Sequence, residues 1–248
     1  MQRKNNMRFL NIVSASNKSH LAPSATAAFL GDSITQGVFE LYPTEDGGFG
    51  PIFDYENVYH SQFKKKLNNL FPCARINIIN AGSNGTDAKY GLERLDRDVL
   101  KYSPDLVVVC FGANDCGRGE EGLETYAESL EKIFDAITSQ GAEIIFLTPN
   151  TMAKYARKET FDFPGSEITE KIVDLETKGY AEMYFEKARE ICRKKNVPLC
   201  DCRKIWQKLE QNGVNTTALL SNHLNHPDRV MHGLFADKLI ELLFENAD

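Results

Sequence analysis

The chain has 248 residues, 42% of them hydrophobic, and a formal net charge of -6. That length and apolar content suffice for one extended core, and charges interspersed without a basic stripe exclude a surface that tracks a phosphate backbone. The apolar run FLNIV near the start is shorter than a signal-peptide core, and no stretch approaches a membrane span, so a soluble, cytoplasmic chain without membrane partners is expected.

Residues 1–24 read as a polar N-terminal arm, and 25–248 as a single domain. Six cysteines without a secretory signal read as reduced thiols. Cys200 and Cys202, flanking Asp201, read as small core-facing residues near a strand end, because no second Cys or His pair stands at metal-ligand spacing. Neither a disulfide nor a metal is expected. The sequence does not specify an oligomeric state.

Five short apolar runs follow in order: TAAFLG (26–31), RINIIN (75–80), DLVVVCFG (105–112), EIIFLTP (143–149) and VPLC (197–200). Such continuous, β-branched runs suit strands covered on both faces, as in a parallel sheet. Amphipathic patterns between and after them predict helices over 60–71, 87–102, 122–141, 180–196 and 231–247. Strict alternation of strand and helix predicts a three-layer α/β domain whose ligand site lies at the carboxyl ends of the strands. Two segments break the rhythm, 40–57 and 150–179. Both are expected to be loops or short helices decorating that site. Their aromatic residues, together with the adjacent Tyr59 (Phe49, Phe53, Tyr55, Tyr59, Tyr155, Phe161 and Phe163), are candidates either for an acyl or sugar pocket or for pinning these loops to the body.

The turns after the first three strands carry the chemistry. GDSITQG offers the Ser33 hydroxyl, NAGSNGTDA a backbone N–H at Gly85 unhindered by a side chain, and GANDCG the carboxamide of Asn114. A hydroxyl is a poor nucleophile without an adjacent base and donors aimed at the oxyanion it creates. The stretch NHLNHPDRVMHGLFADKL supplies the base candidate, His226. Asp32 and Asp115 read as braces that accept neighbouring backbone N–H groups, the commoner use of Asp in tight turns. His20 and His60 read as surface residues, and His223, His226 and His232 as something other than a metal site, since no carboxylate or cysteine stands at zinc-like spacing with them.

These four blocks, in this order over residues 29–240, resemble those of the SGNH hydrolases, also called the GDSL esterase/lipase family. The resemblance implies a flavodoxin-like, five-stranded parallel sheet in a three-layer α/β/α fold. It implies Ser33 as nucleophile, the N–H groups of Ser33 and Gly85 with the Asn114 side chain as oxyanion donors, and His226 as general base. No cofactor is implied, and the partner is a small-molecule ester. The register of the tail agrees: the family's His-Pro-Asn, Gly-His and Ala positions fall on His226-Pro227-Asp228, Met231-His232 and Ala236.

One element departs from the pattern. The family usually places an aspartate three residues before the histidine, and that position is His223. The group that orients the base is therefore expected among His223, Asn222 or a backbone carbonyl of 221–225, with Asp228 as a further candidate. The resulting expectation is a serine esterase working through an acyl-serine, possibly a small-acyl or carbohydrate deacetylase. The alternatives are a catalytically impaired carbohydrate- or ligand-binding module, favoured by the missing aspartate, and an acyltransferase, which would share every residue named.

Overall fold

The computed structural model describes residues 7–46, 48–157 and 166–245. Five parallel strands, β1 (Ala25–Gly31), β4 (Ile76–Gly82), β5 (Leu106–Cys110), β6 (Glu143–Thr148) and β7 (Leu199–Asp201), form one sheet in the order β4-β1-β5-β6-β7. The five apolar runs are these strands. Alternate side chains on a strand face opposite ways: Leu106, Val108 and Cys110 enter one buried cluster with Ala27 and Phe29, whereas Val107 and Val109 enter the other with Ala28 and Leu30. Each cluster is closed by helices, which makes the three layers expected from the alternation.

On the first face lie α3 (Tyr59–Leu70), α9 (Cys202–Gln211) and α10 (Arg229–Glu245). The same face holds α1 (Arg8–Lys18), inside the segment read as an arm. Its Phe9 and Val13 are fully buried in that core, and its first N–H groups, on Arg8 and Phe9, donate to the Glu143 carboxylate at 2.6 and 2.7 Å. A carboxylate on a helix N-terminus meets orphan donors and the positive end of the dipole. The opposite face carries α4 (Ala88–Glu93), α6 (Leu123–Ser139) and α8 (Tyr180–Lys195).

Two sequence expectations are corrected, for the helix over 87–102 and for segment 40–57. The single helix over 87–102 is broken into α4, the short α5 (Leu95–Asp98) and a 3-10 turn, Leu100–Tyr102. The first break falls at Arg94, whose buried guanidinium donates to Gly31 O (2.8 Å) and Ala81 O (2.7 Å) at two strand ends. Segment 40–57 is mainly a hairpin rather than loops or short helices: β2 (Val38–Pro43) pairs antiparallel with β3 (Phe49–Phe53). Segment 150–179 ends in α7 (Ser166–Thr177), and Phe161 and Phe163 lie outside the described residues. No helix among the described residues is long and apolar enough to cross a membrane.

Candidate active site

Ser33 opens the four-residue helix α2 (Ser33–Gln36) at the carboxyl end of β1. Asp32 caps it, its Oδ1 accepting the Ile34 N–H at 2.9 Å, and Gly37 closes it at φ +100°. The brace read from the sequence is thus present. Burial pushes the Asp32 carboxyl up to about 7, against the Ile34 N–H, which lowers it. The short helix sits tightly on the strand ends: a Cβ at Gly82 would overlap the backbone of Gln36, and one at Gly31 would overlap the Thr35 side chain.

The two donor loops are tied to this helix and to each other. Ser83 N–H donates to Gly31 O (3.0 Å) and Asn84 N–H to Gln36 Oε1 (2.6 Å), which brings the loop bearing Gly85 alongside α2. Gly85 has φ +73°, a left-handed conformation that glycine adopts without steric cost. Asn114 Nδ2 donates one hydrogen to Thr86 O at 2.8 Å, leaving its second. Asp115 spans the same gap, accepting Ala88 N–H and Gly112 N–H at 2.9 Å each, and burial pushes its carboxyl up to about 7.

The candidate base, His226, arrives from 193 residues away in sequence. Ser33 Oγ lies 2.9 Å from His226 Nε2, with both residues 4% exposed. The other ring nitrogen, Nδ1, is 3.3 Å from the Phe39 carbonyl. That contact fixes the tautomer: Nδ1–H donates to Phe39, leaving Nε2 to accept from the serine. Burial pushes His226 down to about 4, opposed by the Phe39 carbonyl and the nearby Glu40 carboxylate. The imidazole is therefore neutral across the neutral pH range.

The acceptor facing His226 Nδ1 is thus Phe39 O, rather than a group of the 222–223 turn. The strand pairing explains why this carbonyl is available. Val38 pairs with Phe53 and Leu41 with Pro51, so Phe39 and Glu40 together oppose Ile52. This β-bulge of two residues against one interrupts the ladder and re-aims the carbonyl.

The earlier candidates take other roles. Asn222 Oδ1 accepts the N–H groups of Leu224, Asn225 and His226 at 2.9–3.0 Å, bracing the turn that carries the base. Asp228 Oδ1 accepts Met231 N–H in the first turn of α10. His223, at φ +59°, places Nδ1 3.1 Å from Arg157 Nη1. From the far side, Asn150 Nδ2 donates to Asn225 O (2.8 Å) and Ala153 N–H to Leu224 O (2.7 Å). The buried Arg203 holds this wall by donating to Asn150 O and pairing with Glu176 at 2.8 Å.

His60 is not a surface residue. It is buried with Nε2 3.1 Å from Thr35 O, and burial pushes it down to about 4. His232 is fully buried, and its Nδ1 accepts Tyr59 N–H at 3.1 Å. Tyr59 belongs to the core, its hydroxyl 2.9 Å from Thr35 Oγ1. Phe53 and Tyr55 stack at 5.6 Å and remain 38% and 54% exposed, and the half-exposed Tyr155 accepts a hydrogen bond from Asn215.

Residues 29–234 match the GDSL-like lipase/acylhydrolase family. The chain belongs to that family, whose members are carboxylic ester hydrolases. An arylesterase from Vibrio mimicus is 26% identical over 106 residues, 40% of this chain and 52% of that protein. The chain thus matches about half the length of this curated relative. The fold is shared with a two-domain esterase active on acetylated mannans (19% identity, TM-score 0.67, covering 98% of this chain and 55% of that one). It is also shared with a lipase/acylhydrolase from Enterococcus faecalis (23%, TM-score 0.62, 88% and 94%). An acetylxylan esterase from Geobacillus stearothermophilus is similar too (18%, TM-score 0.65, 89% and 95%).

Proposed function

We propose that the protein is a serine esterase that cleaves small acyl esters through an acyl-serine, with acetylated carbohydrate as the substrate class. The reading rests on one observation, the 2.9 Å contact of Ser33 Oγ with an imidazole whose other nitrogen donates to a backbone carbonyl. His226 Nε2 removes the hydroxyl proton as Oγ attacks the ester carbonyl. The oxyanion is met by Ser33 N–H, which as the first N–H of a helix has no intrahelical acceptor, by Gly85 N–H, and by the second hydrogen of Asn114 Nδ2. The imidazolium returns its proton to the leaving alcohol, and water releases the acyl group by the same steps in reverse.

A carbonyl dipole fixes the tautomer as an aspartate would but stabilises the imidazolium less, so a slower first step than that of a full triad is expected. The carbohydrate assignment is supported by the exposed Phe53–Tyr55 stack on the hairpin beside the base, a surface suited to a sugar face, and by fold relatives that act on acetylated mannan and acetylxylan.

The test is a panel of p-nitrophenyl esters of increasing chain length alongside acetylated sugars, with Ser33→Ala as control. Acetyl esters are expected to turn over fastest and the variant to lose several orders of magnitude. More than a tenth of wild-type activity in Ser33→Ala would remove Ser33 as nucleophile. A fluorophosphonate that fails to label Ser33 would favour the non-catalytic binding module.

A further inference from the structure

Neither the nucleophile nor the base explains why Arg229 reaches back across the hairpin. Its guanidinium makes a bidentate pair with Glu40, Nη1 to Oε1 at 2.5 Å and Nη2 to Oε2 at 3.1 Å, and Nε donates to Asp54 Oδ2 at 2.7 Å. The same guanidinium carbon lies 4.5 Å from the centre of the Phe39 ring, and the His232 ring packs on Phe39 at 4.6 Å. Arg229 therefore touches both residues of the bulge, one through its ring and the other through its carboxylate. Planar, forked donors give such a clamp a fixed geometry that a point charge does not.

We propose that Arg229 is a positioning residue for the base: by locking the Phe39–Glu40 bulge against the start of α10, it holds the Phe39 carbonyl on His226 Nδ1. The inference rests on the esterase reading for its kinetic consequences, but not for its structural one. Ser221 Oγ also donates to Phe39 O, at 2.9 Å. That hydroxyl is anchored on the histidine segment, because Ser221 N–H donates to His226 O, so it is a second, single-bond tie from that segment to the hairpin. Arg229 joins the same two bodies through three charge-assisted hydrogen bonds and the Phe39 ring.

The clamp also balances charge around the base. The charged and titratable groups on the packed elements are Glu40 on β2, Asp54 after β3, Arg229 and His232 on α10, and His60 on α3. Glu40 favours the imidazolium, and in the present arrangement its charge is neutralised by Arg229. Removing the guanidinium leaves Glu40 facing the ring, so the histidine is expected to protonate at higher pH.

Arg229 is 40% exposed on its side chain, so Arg229→Met is expected to fold. The experiment compares wild type, Arg229→Met, Arg229→Lys and Ser33→Ala. Three quantities are read: the pH profile of Ser33 phosphonylation by a fluorophosphonate, steady-state ester hydrolysis, and the histidine tautomer in a long-range 15N–1H spectrum. Arg229→Met is expected to label Ser33 about 10- to 100-fold more slowly, with kcat lowered, KM little changed and the acid limb raised by at least about half a unit. Its spectrum is expected to lose the pure Nδ1–H form of His226, while Arg229→Lys recovers part of the rate. Wild-type rate, limb and tautomer in Arg229→Met would overturn the proposal. So would equal losses in the Met and Lys variants that merely follow their melting temperatures. Failure of wild type to label Ser33 would instead sink the esterase reading, and the tautomer measurement would still decide the role of Arg229.

Discussion

At the scale of single residues, Asn222 and His223 separate two functions that adjacency in sequence blurs. His223 stands where an aspartate was expected, yet its ring contacts Arg157 rather than His226. Asn222 accepts three consecutive backbone N–H groups from a nearly buried position and so shapes the turn that aims the base. Asn222→Ala leaves those donors without their acceptor, at about 1–3 kcal/mol for each that water cannot reach. It is expected to lower both the unfolding free energy, by about 2 kcal/mol, and the rate of Ser33 labelling. Asn222→Asp, which keeps the acceptor, should recover most of each. His223→Ala is expected to cost far less activity than His226→Ala. A His223 variant as inactive as the His226 variant would mean that the side chain at 223 acts on the base directly.

The element that decides the geometry of Ser33, the proposed nucleophile, is α2, too short to be stable alone. It persists because Asp32 and Gly37 close its ends and because two glycines let its backbone rest on the strand ends. Gly82→Val puts a branched side chain where the Gln36 backbone lies, so α2 must move or β4 must yield. Overpacking of this kind costs about 1–3 kcal/mol, and a shift near 1 Å in a reacting group costs about 100-fold in rate. A lowered urea midpoint together with a kcat loss out of proportion to it is expected. Unchanged kcat in a folded Gly82→Val variant would show that α2 does not depend on this contact. The β2–β3 hairpin acts in the same way for the base, since its bulge supplies the carbonyl that a regular ladder would have used in pairing.

Across the whole molecule, buried ionisable groups of opposite kind oppose one another in the dependence of stability on pH. His60 and His226 are held near 4, and His232 well below its ordinary value, by burial. Unfolded chains take up these protons first, so each histidine removes stability as pH falls below about 6.5. Asp32 and Asp115, raised to about 7, work the other way. Their folded carboxyls are protonated where unfolded ones are ionised, so their contribution is complete below about 3.8 and is lost as pH rises through 7. Between pH 4 and 6.5 the two sets act in opposite directions, with three histidines against two aspartates. Urea unfolding of Ser33→Ala at half-unit steps is expected to show a broad maximum between about pH 6 and 7. A steady rise in stability through pH 8 would show that the two carboxyls are ionised in the folded protein.

The sequence by itself determined the sheet, its covering layers and the identity of four chemical groups. Apolar runs and Gly-rich turns are local signals, and the three turns after β1, β4 and β5 necessarily share one end of a parallel sheet. It also carried the family pattern that singled out Ser33, Gly85, Asn114 and His226. It did not show the hairpin at 38–53, whose short strands alternate weakly, nor α1, whose apolar stripe is brief within a polar segment. Above all it could not reveal what orients His226. Every residue owns a carbonyl, so no side-chain pattern marks Phe39, and only a bulge in the folded hairpin frees that carbonyl from its ladder. Arg229 is as illegible, because a surface arginine becomes a clamp only when folding brings Glu40 and Asp54, each more than 170 residues away in the chain, onto one guanidinium.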